Sequence, residues 1–367
     1  MDRDDYRPTD VPRKVVELAR GGDRFALAMI LSADGSTPQK AGVKAVIGAT
    51  GEIWGTLGGG AVEAEAQRRA VEACRLRSPI VFDFSLHHAS AADGGPICGG
   101  SMRLLVDPTI AERAENEQAY AQAAEAVQQR RRGILLTTVR TAANSDMNVR
   151  AEVNVQWLSE NAAVSHAAFP GRQSIAASLA GEAPRLFAAP SAAPQESLEV
   201  FVEPVIPPPL LWIAGGGHLG QAVAVEASRL GFDVTVIDDR PEFTAAALFP
   251  KGVTAHCGDF AQQIADFPLG KDAYIVIVTR GHQHDAEALA ACIHAPVAYI
   301  GMVGSRRKVA LLRAHFVESG LATEAEFDRV FAPVGLDIGA VTVPEIAASI
   351  AAQLVAVRRK GRRRCGG

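Results

Sequence analysis

The sequence contains few of the residues that mark specialised classes of protein. Only five of its 367 residues are cysteine, and no two of them form a CxxC pair. An odd number of cysteines without that spacing predicts neither a disulfide framework nor a structural zinc site. The composition, with 48% hydrophobic and 21% charged residues, is that of an ordinary globular protein.

The sequence also lacks a strong charge and a long apolar run. Its net charge of −4 gives no reason to expect a nucleic-acid partner. No apolar run approaches the roughly 18–20 residues that span a bilayer. Four charged residues follow Met1 and no apolar core comes after them, so we expect no secretory signal. We therefore expect a cytoplasmic protein without a membrane span.

A glycine-rich stretch in residues 210–240 is the feature around which the chain is organised. A short apolar strand, a G-x-G-x-x-G motif, a helix and a second strand follow one another there. Glycines in this pattern permit a tight turn, the close approach of a pyrophosphate, and close packing of the helix on the strand. They are Gly215, Gly217 and Gly220, and His218 opens the helix.

The second strand of this stretch ends at Asp238, 23 positions after Gly215. A carboxylate there can accept hydrogen bonds from ribose hydroxyls, and free N–H groups at the helix start favour a phosphate. The stretch therefore predicts a Rossmann unit that binds NAD(P) or another nucleotide. The alternative is a Rossmann unit whose pocket is empty or adapted to another ligand, because the motif indicates the fold better than the ligand.

Two further polar loops, 279–285 and 301–308, follow predicted strands of the same sheet. Ligands of open parallel sheets bind beyond the carboxyl ends of the strands, where both loops fall. In the second loop two arginines occupy a helix start, which is unfavourable for cations unless an anion offsets them. This loop is therefore a candidate phosphate site, with ordinary surface charge as the alternative. Its members are Gly301, Gly304, Ser305, Arg306 and Arg307.

The loop at 279–285 holds His282, His284 and Asp285. A pair of histidines without a third ligand is a weak metal site, and an aspartate beside a helix commonly caps it. We therefore favour a cap and a plain loop over a metal centre.

Alternating strands and helices predict an α/β protein of two domains. The stiff spacer Pro207–Pro209 places the boundary between residues 1–206 and residues 207–367. The first is an α/β domain with a variable stretch at 159–197, where periodicity is poor and residues 188–195 resemble a loop. The second is a Rossmann-type domain with a doubly wound parallel sheet, and it ends in a basic tail.

Motifs spread over nearly the whole chain resemble those of the xanthine dehydrogenase accessory protein family, also called XdhC/CoxI. They read GSTPQKAG, GTLGGGAVE, ICGG, LLWIAGGGHLG, VIDDRPEF, YIGMVGSRRK and PVGLDIGAVTVPEIAASIAAQLVAVR. The resemblance implies a chaperone without turnover of its own, which binds molybdenum cofactor and supports its sulfuration by a cysteine desulfurase. It further implies insertion of the cofactor into a molybdenum hydroxylase of the xanthine dehydrogenase class, and a homo-oligomer.

The resemblance also implies a cofactor site in the first half of the chain, with Cys98 as a ligand of the metal. Thiolate sulfur is a soft metal ligand, and N–H groups at a glycine turn lower the pKa of a thiol. The expected binding residues are Gly58, Gly59, Gly60, Glu63, Cys98, Gly99 and Gly100. From the residues alone we would favour a small buried side chain for Cys98, and the resemblance reverses that preference. For Glu63, a ligand contact and an ordinary first-turn acid are equally supported.

This chain departs from the family pattern at Ala61, where many members carry a cysteine. The departure puts in doubt any mechanism that needs two thiols. We expect Cys74, Cys257 and Cys292 to be packing residues, because they lie in or next to apolar segments.

Two rival functions follow from the glycine-rich motif alone. An NAD(P)-dependent oxidoreductase would use the Rossmann unit, but the sequence shows no Tyr-x-x-x-Lys and no clear catalytic His–Asp pair. A nucleotide-sensing module would bind a dinucleotide and no pterin.

Overall fold

The computed structural model describes residues 8–86, 99–142, 149–165, 172–190, 196–265 and 269–361. The chain divides into two compact units, Met1–Pro207 and Pro208–Gly367. The division falls within the triple proline, whose residues cannot donate hydrogen bonds to a strand ladder.

The amino-terminal unit is built on one antiparallel sheet. Its strands are β1 (Phe25–Asp34), β2 (Lys44–Gly48), β3 (Ile53–Gly55), β4 (Ile80–Ser85), β5 (Ser101–Asp107), β6 (Gly133–Ala142), β7 (Val149–Ser159), β8 (Arg185–Ala189) and β9 (Glu196–Val205). The order across the nine strands is β3-β2-β1-β5-β4-β7-β6-β9-β8. The described helices of the unit are α1 (Val11–Gly21), α2 (Gly60–Leu76), α3 (Ala114–Gln128), α4 (Glu160–Ser165) and α5 (Arg172–Gly181).

Strand β1 is buried on both faces and separates two parts of the core. Its residues Phe25, Leu27, Met29 and Leu31 pack in the cluster that contains α1 and α3. The intervening Ala26, Ala28 and Ile30 pack against α2 on the other face. Since neighbouring strand residues point to opposite faces, this alternation of large and small side chains suits a helix that lies close on one side.

The amide side chain of Asn116 on α3 makes hydrogen bonds to β7 where β4 no longer pairs with that strand. Strand β4 pairs with β7 only near its start, at Val149 and Arg150. Farther along β7, Asn116 donates from Nδ2 to the carbonyl of Val153 at 3.3 Å and accepts from the N–H of Val155 at 2.8 Å. The buried carbonyl of Val153 and the buried N–H of Val155 are thereby satisfied.

The variable stretch at 159–197 contains regular structure despite its poor periodicity. Helices α4 and α5 and strand β8 lie within it. Ala163, Ile175 and Leu179 bury against the face of β6 and β9. Small and widely spaced apolar residues give only a weak periodic signal in the sequence. These elements are stabilised mainly by tertiary packing, which a local pattern does not show.

The carboxy-terminal unit contains a doubly wound parallel sheet, as predicted. Its strands are β10 (Leu210–Ala214), β11 (Asp233–Asp238), β12 (Thr254–Cys257), β13 (Ala273–Ile277), β14 (Tyr299–Met302) and β15 (Val330–Phe331). The order is β12-β11-β10-β13-β14-β15, and each neighbouring pair is parallel. The described helices are α6 (His218–Arg229), α7 (Phe260–Ala265), α8 (His282–Cys292), α9 (Arg306–Glu318), α10 (Glu324–Phe327) and α11 (Val343–Lys360).

The helices cover both faces of this sheet. Helices α6 and α11 pack on one face through Val223 and Leu354. Helices α7 to α10 pack on the other, where Leu289 and Phe316 are fully buried. The strand order reverses at β10, and a crevice at such a reversal is where ligands of this fold bind. No helix in the described ranges combines the length and apolar character needed to cross a membrane.

Candidate functional site

The glycine-rich turn after β10 is held tightly by its neighbours. The N–H of Gly215 donates to the carbonyl of Ile237 at 2.7 Å. A Cβ atom added at Gly215 would lie 2.5 Å from the carbonyl oxygen of Val278, and one at Gly220 would collide with the carbonyl oxygen of Gly215. Packing between strand, turn and helix therefore requires both glycines.

Gly217 is different, because the protein itself does not require a glycine there. Its φ of −65° is open to any residue. An added Cβ would meet no atom of the described chain within 4 Å. The motif predicts that a ligand phosphate approaches the backbone closely at this position, which would explain why the residue is glycine.

Asp238 uses its carboxylate within the protein. Oδ2 accepts from the N–H of Gly216 at 2.8 Å and from Nη2 of Arg240 at 3.0 Å. Oδ1 accepts from the backbone N–H of Arg240 at 3.0 Å and from its Nε at 2.8 Å. Burial alone would raise the pKa of Asp238, but the hydrogen bonds from Arg240 and Gly216 outweigh it and lower that pKa.

Arg240 closes a ring of contacts around the glycine turn. Its guanidinium lies 3.8 Å from the centre of the Phe243 ring. A Cβ added at Gly216 would collide with the carbonyl oxygen of Phe243. Sequence reasoning did not include Arg240 or Phe243, although both stand in the quoted VIDDRPEF segment.

A small cavity of about 110 Å³ lies at the carboxyl ends of β10, β11, β12 and β13. The residues that border it include Gly215, Asp238, Asp239, Thr279, Arg280 and Glu287. Nη2 of Arg280 lies 2.9 Å from Oδ2 of Asp239, so the loops after β11 and β13 are joined by an ion pair. The cavity therefore occupies the crevice position expected of this fold.

The loops after β13 and β14 meet at a buried charge pair. The Asp285 side chain is 0% exposed, and it accepts a hydrogen bond from Thr279 Oγ1 at 2.6 Å. Lys308 donates to the other carboxylate oxygen. The predicted capping role of Asp285 is wrong, because α8 already begins at His282 and Asp285 lies inside its first turns. Sequence reasoning missed the pair, since its partners are 23 residues apart.

The candidate phosphate residues at the start of α9 lie in one turn. Ser305 caps the helix by accepting from the N–H of Lys308 at 3.2 Å. Arg306 is 88% exposed and lies 3.8 Å from Asp337. Arg307 is exposed as well. Both arginines can reach a ligand from solvent, so their binding role remains a prediction.

The glycines before that turn have different surroundings. A Cβ added at Gly301 would lie 2.5 Å from the buried hydroxyl of Tyr299, so packing explains this glycine. At Gly304 the nearest atom would be on the Lys308 side chain at 3.1 Å, a flexible neighbour that can move.

In the amino-terminal unit the predicted glycine segments meet on the loop at 35–39. A Cβ added at Gly58 would lie 2.8 Å from Pro38 Cβ, and one at Gly100 would lie 2.6 Å from the carbonyl oxygen of Ser36. One at Gly35 would lie 2.8 Å from the carbonyl oxygen of Gly99. Loop 35–39 therefore joins two segments that are about forty residues apart in the chain.

Glu63 organises the triple-glycine turn from within. Its Oε2 accepts from Thr56 Oγ1 at 2.9 Å, from the N–H of Leu57 at 3.0 Å and from the N–H of Gly59 at 3.2 Å. The carboxylate thus takes the place that a bound anion would have at Gly59. On the open side of the turn, Cβ atoms added at Gly59 and Gly60 would meet no described atom within 4 Å.

The predicted metal ligand Cys98 lies outside the described residues. Within them, no group of three or more His, Cys, Asp or Glu side chains is placed to hold a metal ion. Burial raises the pKa of the Cys74 thiol to about 11 and that of Cys292 to about 12, so both are packing residues as predicted. The same prediction is wrong for Cys257, which is exposed at the end of the short strand β12.

Comparison with known proteins gives two family matches. Residues 211–354 match the family described as the XdhC Rossmann domain. Residues 18–85 match the XdhC and CoxI family. The first match covers most of the carboxy-terminal unit, and the second covers β1 to β4 with the triple-glycine turn.

Two curated proteins are similar along most of the chain. "Uncharacterized protein YqeB" of Escherichia coli is 27% identical over 91% of this chain, which spans only 43% of that protein. A protein of Bacillus subtilis, described as a probable subunit of xanthine dehydrogenase, is 25% identical over 94% of this chain and 96% of its own length.

A solved structure shows the same fold. The crystal structure of a xanthine dehydrogenase from Bacillus halodurans superposes with a TM-score of 0.71, at 20% identity, over 97% of this chain and 98% of that one.

Proposed function

The chain belongs to the XdhC and CoxI family, and on that basis we propose that it is an accessory factor of a xanthine dehydrogenase-class molybdenum hydroxylase. We further propose that it binds molybdenum cofactor, presents it for sulfuration by a cysteine desulfurase, and passes it to the hydroxylase. It has no turnover of its own.

The arrangement of glycine segments in the amino-terminal unit supports the proposed binding of molybdenum cofactor. The segments GSTPQKAG and GTLGGGAVE and the glycines of ICGG, on which the family resemblance rests, meet in the amino-terminal unit around loop 35–39. Packing against this loop accounts for Gly58 and Gly100. The positive φ angles of Gly59 (72°) and Gly60 (60°) favour glycine at both positions, and on that side the turn faces no described atom within 4 Å. An open glycine surface beside a fixed loop suits a flat, polar ligand such as a pterin.

The residues present fit a cofactor that must be held and then released. Glu63 already accepts from the N–H of Gly59, so other backbone N–H groups of the glycine turns would bind the polar edge of the cofactor. The Cys98 thiol, next to Gly99 in the chain, would supply a single soft ligand to the metal. Bound there, the cofactor would bring redox chemistry that belongs to the hydroxylase. One thiolate permits release, whereas a closed cage of several cysteines would retain the metal.

The proposal is tested with the full chain produced beside an active molybdenum pathway. Mass spectrometry of the small molecules released on denaturation should detect a molybdopterin. Cys98→Ser should lower its occupancy, or leave the hydroxylase assembled but inactive. Cys257→Ser is the matched control, because its thiol is exposed but stands in the other unit.

Full cofactor loading together with full hydroxylase activity in the Cys98→Ser strain would remove the proposed role of this cysteine. Turnover of purines, aldehydes or carbon monoxide by the isolated protein would contradict the accessory function itself. A spectral change of added nicotinamide cofactor, oxidised or reduced, with candidate substrates would favour the oxidoreductase. Light scattering on the purified protein tests the proposed homo-oligomer.

A further inference from the structure

We propose that Arg240 determines which nucleotides the Rossmann unit accepts, because its guanidinium occupies the carboxylate of Asp238 that would otherwise bind a ribose diol. The inference concerns the carboxy-terminal unit alone and does not rest on the proposed accessory function.

The Asp238 carboxylate is already saturated with donors from the protein. A carboxylate offers about four lone-pair sites. Four donors point at this one, three from Arg240 and one from Gly216, at distances from 2.8 to 3.0 Å. The side chain is 4% exposed. Ribose hydroxyls therefore find no vacant acceptor at the position where this fold ordinarily reads them.

Contacts with Asp238 and Phe243 fix the position of the Arg240 side chain. Its fork donates from Nε and Nη2 to different oxygens of Asp238, which is the bidentate geometry of a strong arginine–carboxylate pair. Its face lies on the ring of Phe243. The backbone of Phe243 packs in turn on Gly216. A nucleotide that needs Asp238 must break the contacts of Arg240 with both groups before it gains its own.

The consequence is a defined order of affinities. With Arg240 in place, the unit gains nothing from a free 2′-hydroxyl, so NADH and NADPH should bind with similar affinity. Without Arg240, Asp238 becomes an acceptor that favours the diol of NADH and repels the 2′-phosphate of NADPH. A single hydrogen bond to a carboxylate already corresponds to a gain of roughly tenfold to a hundredfold for NADH.

The experiment is a titration of the full chain with NADH and with NADPH, followed by nicotinamide fluorescence or calorimetry. Arg240→Ala should bind NADH about tenfold or more tightly than wild type, with no gain for NADPH. The double variant Asp238→Asn with Arg240→Ala should lose most of the gain, since a neutral amide is a weaker acceptor. Arg229→Ala is the control, because this arginine of α6 is exposed and pairs with neighbouring Glu226.

A loosened fold cannot imitate this result, because it would not separate NADH from NADPH. If Arg240→Ala does not fold, as judged by circular dichroism, Arg240→Gln replaces it; we then expect a smaller gain of the same sign. A wild type that already prefers NADH tenfold or more would overturn the proposal. So would a folded Arg240 variant that binds NADH no better than wild type.

Discussion

Lys308 at the start of α9 donates to the fully buried carboxylate of Asp285 on α8, so one ion pair joins the loops that follow β13 and β14. Both loops end at the edge of the sheet where ligands of this fold bind. Thr279 donates to the same Asp285 carboxylate, and Ser305 accepts from the backbone N–H of Lys308. The pair therefore links the two loops that contain Thr279 and Ser305.

Breaking this pair on one side should destabilise the carboxy-terminal unit strongly. Lys308→Met leaves Asp285 buried without its cation, which typically costs about 3–5 kcal/mol of unfolding free energy. Urea unfolding of the variant measures the loss. Arg306→Ala is the control, since the Arg306–Asp337 pair is exposed on both sides and should contribute less than about 1 kcal/mol. Equal effects of the two substitutions would contradict the assignment.

Gly217→Val should abolish binding of any nucleotide or cofactor phosphate to the glycine turn and leave the fold intact. The reason is that its Cβ would enter open space, in the described chain, at an ordinary φ. Gly220→Val is the contrast, because its Cβ would collide with the carbonyl oxygen of Gly215 and should damage folding. Calorimetry and thermal unfolding measured on the same samples separate the two effects. Unchanged affinity in Gly217→Val for every ligand of the wild type would remove the proposed phosphate contact.

Asp238 should make stability depend on pH in a definite direction. Its pKa is lowered in the folded state, so its contribution is complete above the unfolded pKa of about 4 and is lost as pH falls through the folded pKa. We therefore expect the free energies of unfolding of wild type and Asp238→Asn to differ most near neutral pH and to converge below about pH 4. Urea unfolding from pH 7 to pH 3 provides the comparison. A difference that grows on acidification would mean that the sign is wrong.

Glu63→Ala should destabilise the amino-terminal unit by about 1–3 kcal/mol, because three donors of the triple-glycine turn lose their shared acceptor. Thermal unfolding is the readout. Glu72→Ala on the same helix is the control, since Glu72 makes one long ion pair, 3.9 Å from Arg68. If Glu63→Ala matches this control in stability but loses cofactor, Glu63 acts on the ligand instead of on the turn.

The local sequence pattern was sufficient to predict the order of strands and helices in residues 210–240. It was not sufficient to predict how the strands of the amino-terminal unit pair. The strand, G-x-G-x-x-G, helix and strand of residues 210–240 lie within one supersecondary unit, so their order could be predicted from spacing alone. The antiparallel sheet of the amino-terminal unit depends on pairings such as β1 with β5, which join distant residues. Short stretches such as α4, α5 and β8 carry too few apolar residues to show a period before they pack.

The candidate sites divide in the same way. Sequence placed Asp238 at its strand end, because a position in a βαβ unit is a local property. It could not show that Arg240 turns back onto that carboxylate, since a backbone pattern does not set the direction of a long side chain. Asp285 and Lys308 stand on separate helices, and only the parallel pairing of β13 with β14 brings those helices together.

The amide of Asn116 has a consequence for the behaviour of the protein in concentrated solution. An unpaired strand edge is a template on which the strand of another molecule can add, and such addition leads to aggregation. Here the Asn116 side chain covers both the carbonyl of Val153 and the N–H of Val155. Asn116→Leu would keep the volume and remove these hydrogen bonds, so we expect turbidity and light scattering to rise at temperatures where the wild type stays clear. Arg113 also donates to the carbonyl of Val153 at 3.0 Å, so the N–H of Val155 is the group that the substitution would leave without the Asn116 acceptor.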